Sequence, residues 1–202
     1  MKRSERLVDM TKYLMERPHT LIALPFFAKR YGAAKSSISE DLAILKHTLA
    51  SNQDGVLETV AGAAGGVRYI PFLGQKHAEK YLSDLSSRIE DPSRILAGGF
   101  VYLSDILGDT QDLRRIGELI ATRYAYEEVD AVMTVKTKGI PLAQAIARYL
   151  NVPFVTARKR SKVTEGATVS VNYISSSLSR VSKMELPTRA LKKGSKVLIV
   201  DD

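Results

Sequence analysis

Lys196-Val-Leu-Ile-Val-Asp201-Asp202 constrains the fold more than any other segment, because an apolar, strand-like run carries two adjacent carboxylates to its carboxyl end. In an open α/β sheet, ligands bind outside the carboxyl ends of the strands, so the pair reads as the start of a small-molecule site. It reads equally as the helix cap and turn that often follow a buried strand. A strand of a parallel sheet feeds a loop and a helix. None follows Asp202, and the expectation is a fragment in which the sheet domain is incomplete.

The 202 residues leave room for one large or two modest domains, each with its own core. Cysteine is absent, which excludes disulfides and thiolate metal sites and is compatible with a reducing compartment. The amino terminus, Met1-Lys2-Arg3-Ser4-Glu5-Arg6, is charged and runs into an amphipathic pattern, unlike a signal peptide. No apolar run reaches the roughly 18 residues of a membrane span. The expectation is a soluble, cytoplasmic protein. His19, His47 and His77 lack ligand spacing, so no metal is assigned to them.

The net charge of +8 is unevenly spread. Residues 156–196 hold ten basic side chains against two acidic ones, immediately before the Asp pair. Such a run is either a solvated surface or a site for phosphate groups or nucleic acid.

The first third has the periodicity of a small helical module. Leu7, Met10, Thr11, Leu14 and Met15 share one helical stripe with Ser4 as cap, and Pro18 ends it. A short second helix starts near Leu24-Pro25, buries Phe26 and Phe27, and breaks at Gly32. A third begins at Ser36 or Ser37, with Ser37 and Glu40 spaced as a capping box and Ile38, Leu42, Leu45 and Leu49 as its buried stripe. Two β-prone runs, Val56 to Ala61 and Val67 to Phe72, flank a glycine-rich turn at 62–66 and form a hairpin. That order is a winged helix-turn-helix, whose third helix suits the major groove. It also suits a protein interaction module.

Short polar and basic groups on the third helix, Lys35, Ser36, Ser37, Ser39 and Lys46, favour double-stranded DNA. Lys2, Arg3 and Arg6 read as a flexible arm that meets phosphates or as a solubilising terminus. Arg68 on the wing reads as a DNA contact or an exposed strand charge. Gly32-Ala-Ala-Lys35-Ser36 resembles the end of a P-loop but lacks the upstream glycine and strand.

Gln75 to Ile89 is an amphipathic helix that links domains or pairs with a second subunit. Asp91-Pro92 caps a new helical start and Gly98-Gly99 stops it. Beyond the stop the pattern becomes strand, loop and helix. Phe100 to Leu103 is strand-like, Asp109 or Thr110 caps a helix with Leu113, Ile116, Ile120 and Tyr124, and Ala131 to Val135 is a buried strand. Lys136-Thr137-Lys138-Gly139 leads into a helix, and Pro153 to Ala157 is another strand, leading to Arg158-Lys159-Arg160-Ser161-Lys162. This repeat argues for a mainly parallel sheet with functional loops at strand carboxyl ends. Gly139 lets backbone amides approach a ligand at a helix amino terminus, where an anion is favoured. An ordinary strand-to-helix turn fits the same residues. Val163 to Gly166 is turn-like, and Thr168 to Ile174 alternates like a strand. The region from Lys162 to Met184 is a loop covering a ligand or an exposed hairpin. The chain thus divides into a winged helix at 1–73, connecting helices at 74–99 and an α/β sheet domain at 100–202.

The segments Lys2-Arg3-Ser4-Glu5-Arg6-Leu7, Gly62-Ala-Ala-Gly65-Gly66-Val67, Thr137-Lys138-Gly139-Ile140-Pro141, Arg158-Lys159, Lys162-Val-Thr-Glu165-Gly166 and Val197-Leu-Ile-Val-Asp201-Asp202, in this order, resemble the purine operon repressor family of Gram-positive bacteria. That family joins a winged helix to a type I phosphoribosyltransferase-like domain. The resemblance implies a homodimeric transcription regulator, with phosphoribosyl pyrophosphate as effector in a domain without a catalytic role. Asp201 and Asp202 would hold ribose hydroxyls, with Mg²⁺ carried by the ligand and no direct protein ligation. Thr137, Lys138 and Gly139 would take pyrophosphate, Arg158 and Lys159 further phosphates, and Tyr102 would pack nearby. The alarmone ppGpp would compete there. An active purine phosphoribosyltransferase with a fused winged helix is the alternative.

Overall fold

The structure, a computed structural model, describes residues 1–62, 64–160, 164, 166–175 and 180–202. The expectations for Ala63 in the wing turn, for Ser161, Lys162, Val163 and Glu165, and for Ser176 and Ser177 lie outside the described residues. The chain divides into two compact units. The first holds Met1–Glu90, Glu118–Ala125 and Tyr149–Asn151, and the second Asp91–Gly117, Tyr126–Arg148 and Val152–Asp202. The first unit therefore runs past the boundary at 73 and takes in the helix that the sequence assigns to a connector.

In the first unit the helices α1 (Arg3–Met15), α2 (Leu24–Tyr31) and α3 (Lys35–Asn52) precede the hairpin β1 (Val56–Val60) and β2 (Gly66–Ile70), then α4 (Gln75–Ile89). Most of the helical stripes converge as their spacing predicts, but Met15 and Phe26, expected among the buried residues, are 48% and 39% exposed. Met10 and Leu14 of α1, Phe27 of α2, Ile38, Leu42 and Leu45 of α3, and Leu57, Val67 and Tyr69 of the hairpin form one buried cluster. Each large apolar side chain fully buried there contributes about 1.5–3 kcal/mol. The hairpin pairs Val56 with Ile70 and Val60 with Gly66, and Ile22 bridges Val67 as a third, single-residue strand. Gly66 is required at that bridge, since a Cβ would come within 2.3 Å of the Ile22 carbonyl oxygen.

Two helix starts differ from expectation. Lys2, not Ser4, is the N-cap of α1, because its backbone N–H donates to Glu5 Oε2 at 2.8 Å and no hydroxyl is needed. In α3 the first turn closes from Ile38 N–H to the Ala34 carbonyl at 3.1 Å, so Ala34 caps and Ser37 already lies inside the helix. The Ser37–Glu40 box is not what starts it. Ser39 Oγ donates instead to the Lys35 carbonyl at 3.0 Å, the back-bonding that a hydroxyl adopts inside a helix.

A buried carboxylate ties α1 to α3. Asp41 is 0% exposed and accepts from Arg3 Nε at 2.9 Å and from Arg6 Nε at 2.8 Å. An ionised group in a core is tolerated only when paired. Around it, Asp9 accepts from Arg30 Nε at 3.0 Å and Tyr31 Oη at 2.9 Å, joining α1 to α2. The Arg17 guanidinium stands 4.0 Å from the Tyr13 ring centre on the same side of the module. The unit is completed by Leu73 N–H donating to Thr122 Oγ1 at 2.9 Å and Asn151 Nδ2 donating to Thr20 Oγ1 at 3.1 Å.

The second unit opens with a short 3₁₀ turn, Pro92–Arg94, capped by Asp91 as expected, since Ser93 N–H donates to Asp91 Oδ1 at 2.8 Å. Phe100 to Leu103 forms no strand; its only ladder contact is a single bridge from Val101 to Ile95. The stretch is fixed instead by Arg94, whose guanidinium holds both Asp105 oxygens at 2.8 and 2.7 Å and whose carbonyl accepts from Tyr102 N–H. That fork lowers the Asp105 carboxyl to about 2.

Asp109 caps α5 (Thr110–Arg123), accepting from Gln111 and Asp112 N–H. Then come β3 (Ala131–Val135), α6 (Gly139–Leu150), β4 (Phe154–Ala157), the hairpin β5 (Thr168–Ser175) and β6 (Arg180–Pro187), and β7 (Val197–Ile199). The sheet order is β4-β3-β7, with both pairings of β3 parallel. Within the stretch from Lys162 to Met184 that the sequence left open, the described residues of β5 pair antiparallel with β6, Thr168 opposite Pro187. No helix among the described residues is long and apolar enough to cross a membrane.

The Asp41 cluster yields a direct test of the first unit. Arg6→Ala leaves a buried carboxylate with only the half-exposed Arg3, and stability should fall by about 3 kcal/mol in urea unfolding. Arg6→Ala combined with Asp41→Asn should recover part of that loss. A single-variant loss below about 0.5 kcal/mol, as for a surface pair, would contradict the assignment.

Candidate anion site and candidate nucleic-acid interface

Parallel pairing fixes where three loops leave the sheet. Val135 stands opposite Ala157, and Met133 opposite Ile199, so β3, β4 and β7 end at the same edge. The ladder continues past the strands, from Lys136 N–H to the Ala157 carbonyl at 3.0 Å and from Val200 N–H to the Met133 carbonyl at 2.9 Å. From the central β3 the chain crosses through α6 to β4 on one side, while β7 lies on the other. The carboxyl ends of β3 and β7 therefore bracket a topological switch point, the usual ligand crevice of such sheets.

The chemistry of that edge follows from the sequence of the exits. Lys136, Thr137 and Lys138 are exposed at the end of β3, Lys159 is exposed and Arg158 half-buried at the end of β4, and Asp201 and Asp202 are exposed beyond β7. Gly139 opens α6 directly against Asp201. A Cβ at Gly139 would stand 2.3 Å from Asp201 Oδ1 and 2.1 Å from Thr134 Oγ1, so only glycine lets the helix start this close. The backbone of Arg158 is anchored, donating to and accepting from Glu185 of β6 at 3.0 and 2.7 Å. Two cationic exits beside a helix amino terminus suit phosphate oxygens, and the carboxylates suit hydroxyl donors.

The structure brings Gly139 and Asp201 into contact and places Thr137, Lys138, Arg158, Lys159 and Asp202 on the same sheet edge. Tyr102 is 45% exposed, and its backbone hydrogen bonds run to Arg94 rather than to the strand ends. Thr134, which the sequence reading passed over, is 0% exposed and lies with Oγ1 3.2 Å from Asp201 Oδ1. Its signal was visible as the one hydroxyl in the apolar run Ala131 to Val135.

In the first unit, α3 presents Lys35, Ser36, Ser39 and Lys46 on its exposed face, together with Glu40, Ala43, Ile44 and His47, while Ser37 is half-buried. Lys2 is exposed at the start of α1. Arg3 and Arg6 are not a flexible arm: both lie in α1 and bind Asp41, and Arg6 is only 14% exposed. Arg68 crosses the hairpin to Glu58 at 2.6 Å. Glu40 and Ile44 widen the chemistry of the α3 face beyond the small and basic residues anticipated.

His19, in the turn before Ile22, sits below its ordinary pKa, first because burial disfavours the imidazolium and then because Arg68 is close. The fold thus prefers neutral His19. Its contribution to stability is present above about pH 6.5, the unfolded value, and is lost as pH falls toward the lower folded value. His19 has φ 60°, a conformation asparagine tolerates. His19→Asn should flatten the fall in melting temperature between pH 7.5 and 5.5, and an unchanged pH slope would refute the assignment.

Residues 2–71 match the family model described as bacterial purine repressor, N-terminal, and residues 104–202 match the phosphoribosyl transferase domain model. The chain is 56% identical over 201 residues to the purine biosynthesis transcriptional repressor PurR of Bacillus subtilis strain 168, covering 100% of this chain and 70% of that protein. It is 48% identical over 202 residues to the purine biosynthesis transcriptional activator PurR of Lactococcus lactis subsp. lactis strain IL1403, covering 100% of this chain and 74% of that protein. Among solved structures, adenine phosphoribosyltransferase from Saccharomyces cerevisiae superposes with a TM-score of 0.51 at 20% identity, over 61% of this chain and 72% of that one. At that identity the likeness is one of fold.

Proposed function

The chain belongs to the bacterial purine repressor family, and from that premise we propose that it regulates transcription of purine biosynthesis genes, binding operator DNA and releasing it when phosphoribosyl pyrophosphate occupies the second unit. One observation carries the ligand reading. Two cationic loops and an acidic pair leave the same sheet edge, so a molecule with phosphates at one end and hydroxyls at the other meets complementary groups throughout.

In this reading Thr137, Lys138 and the amide end of α6 take the pyrophosphate, while Arg158 and Lys159 add phosphate contacts. Asp201 and Asp202 accept hydrogen bonds from the ribose hydroxyls, and Tyr102 packs beside the ligand. The described residues contain no cluster of three or more His, Asp or Glu side chains that would hold a metal by themselves. Mg²⁺ fits as an ion carried by the diphosphate, with the exposed carboxylates as oxygen neighbours. The guanosine tetraphosphate alarmone ppGpp, also a polyphosphate on a ribose, competes for the same groups. The protein acts as a cytoplasmic homodimer, and its second unit senses without catalysing, since fold alone does not bring activity. The match to a phosphoribosyl transferase domain model supports a second reading, an active purine phosphoribosyltransferase with a fused winged helix.

Linkage makes the first reading measurable, because an effector that weakens DNA binding must itself bind DNA-bound protein more weakly. Fluorescence anisotropy on a duplex from a purine gene promoter, at fixed salt, should show affinity falling at least about tenfold at saturating phosphoribosyl pyrophosphate with Mg²⁺. Such a fall corresponds to roughly 1.4 kcal/mol of coupling. Unchanged affinity contradicts the proposal, and robust nucleotide formation with any purine base favours the second reading. Lys46→Ala should weaken all duplexes alike and reduce the slope of log affinity against log salt by about one, as loss of a phosphate contact does. An unchanged slope would remove Lys46 from the interface.

A further inference from the structure

We infer that Thr134 is a positioning residue for the effector, its hydroxyl donating to Asp201 and turning that carboxylate toward the ribose hydroxyls. The inference rests on the effector reading proposed above and deepens it.

Thr134 is the fourth residue of β3, a strand buried by its neighbours, and its side chain is fully buried. A buried hydroxyl needs a partner. Two oxygens lie within reach, Asp201 Oδ1 at 3.2 Å and the carbonyl of the next residue, Val135, at 3.3 Å. The hydroxyl has one proton to give. A carboxylate is the stronger acceptor, since hydrogen bonds to an ionised group exceed those to a neutral carbonyl. The threonine therefore belongs to Asp201.

The geometry then divides the labour between the two carboxylate oxygens. Oδ1 is held inward, in the notch where Gly139 lacks a Cβ, within 2.3 Å of where that Cβ would stand. With Oδ1 engaged, rotation of the carboxylate is restricted and Oδ2 is left for the ligand. A freely rotating aspartate would lose that orientational freedom on binding, and Thr134 removes part of the cost beforehand. Because β3 and β7 are parallel neighbours, the hydroxyl reaches Asp201 from the sheet itself, whose backbone is locked by the ladder, rather than from a loop.

A residue that acts only through Asp201 affects the ribose end of the ligand and leaves the pyrophosphate end alone. Titration calorimetry on the protein with Mg²⁺, using phosphoribosyl pyrophosphate and inorganic pyrophosphate in parallel, separates the two. Thr134→Val keeps the shape and removes the hydroxyl. It should weaken phosphoribosyl pyrophosphate roughly tenfold, the usual scale for a hydrogen bond to a charged group, and change pyrophosphate less than about twofold. Thr134→Ser, which restores the hydroxyl, should recover most of the loss. In an Asp201→Ala background, which removes the accepting oxygen, Thr134→Val should add nothing, because its route to the ligand is gone.

Equal binding by the wild type and Thr134→Val would overturn the inference. So would equal weakening of both ligands, which marks a structural role, or full additivity with Asp201→Ala. Failure of the wild type to bind phosphoribosyl pyrophosphate at all would defeat the effector reading instead. Wild type, Thr134→Val, Asp201→Ala and the double variant would then be compared in urea unfolding, where absence of coupling between positions 134 and 201 overturns the pairing and its presence upholds it.

Discussion

Parallel hydrogen bonding of β3 to β4 on one side and β7 on the other sets the chemistry of the second unit. Three exits that are far apart in the chain, after Val135, Ala157 and Val200, leave the sheet at one edge because the registers leave them no alternative. Charge then follows from which residues stand at those exits. The lysines and Arg158 come from two of them and the carboxylates from the third, so the sheet sorts opposite charges along a single edge. Gly139 closes the arrangement. Its missing side chain is what lets α6 begin against Asp201, and the amide end of a helix there adds to the attraction for anions.

The first unit depends on a different bond. Asp41 sits on the inner face of the helix whose outer face carries Lys35, Ser36, Ser39 and Lys46, and two arginines of α1 neutralise it. That pairing fixes α3 against α1 through charges that cannot be abandoned without leaving an ion in the core. It also holds Arg3 and Arg6 within α1 rather than in a flexible arm. The exposed face of α3 carries Glu40 and Ile44 beside its small and basic residues, which gives it acceptor and apolar character as well as charge.

Much of this was legible in the sequence where the signal was local. The apolar run Ala131 to Val135 marked β3 to the residue, Asp91 marked its cap, and Asp109 was one of two candidates for the cap it forms. What escaped was non-local. Asp41 at a helical core position looks like a surface charge until its partners arrive from more than thirty residues away, and the arginines look like a free arm for the same reason. Phe100 to Leu103 has strand composition but, among the described residues, no neighbouring strand to pair with, so the Arg94–Asp105 fork decides its path. Thr134 was hidden in plain view, because a single threonine in a buried strand acquires meaning only when Asp201 is seen 3.2 Å away.

The central claim is that exits from three strands act as one effector site in a protein of the purine repressor family. Resonance mapping of the isotope-labelled protein during titration with phosphoribosyl pyrophosphate and Mg²⁺ tests it most directly. The account predicts that signals from Lys138, Gly139, Lys159, Asp201 and Asp202 shift together, saturating along one binding curve. Shifts confined to α3 and the wing, or separate curves for the cationic and acidic exits, would contradict it.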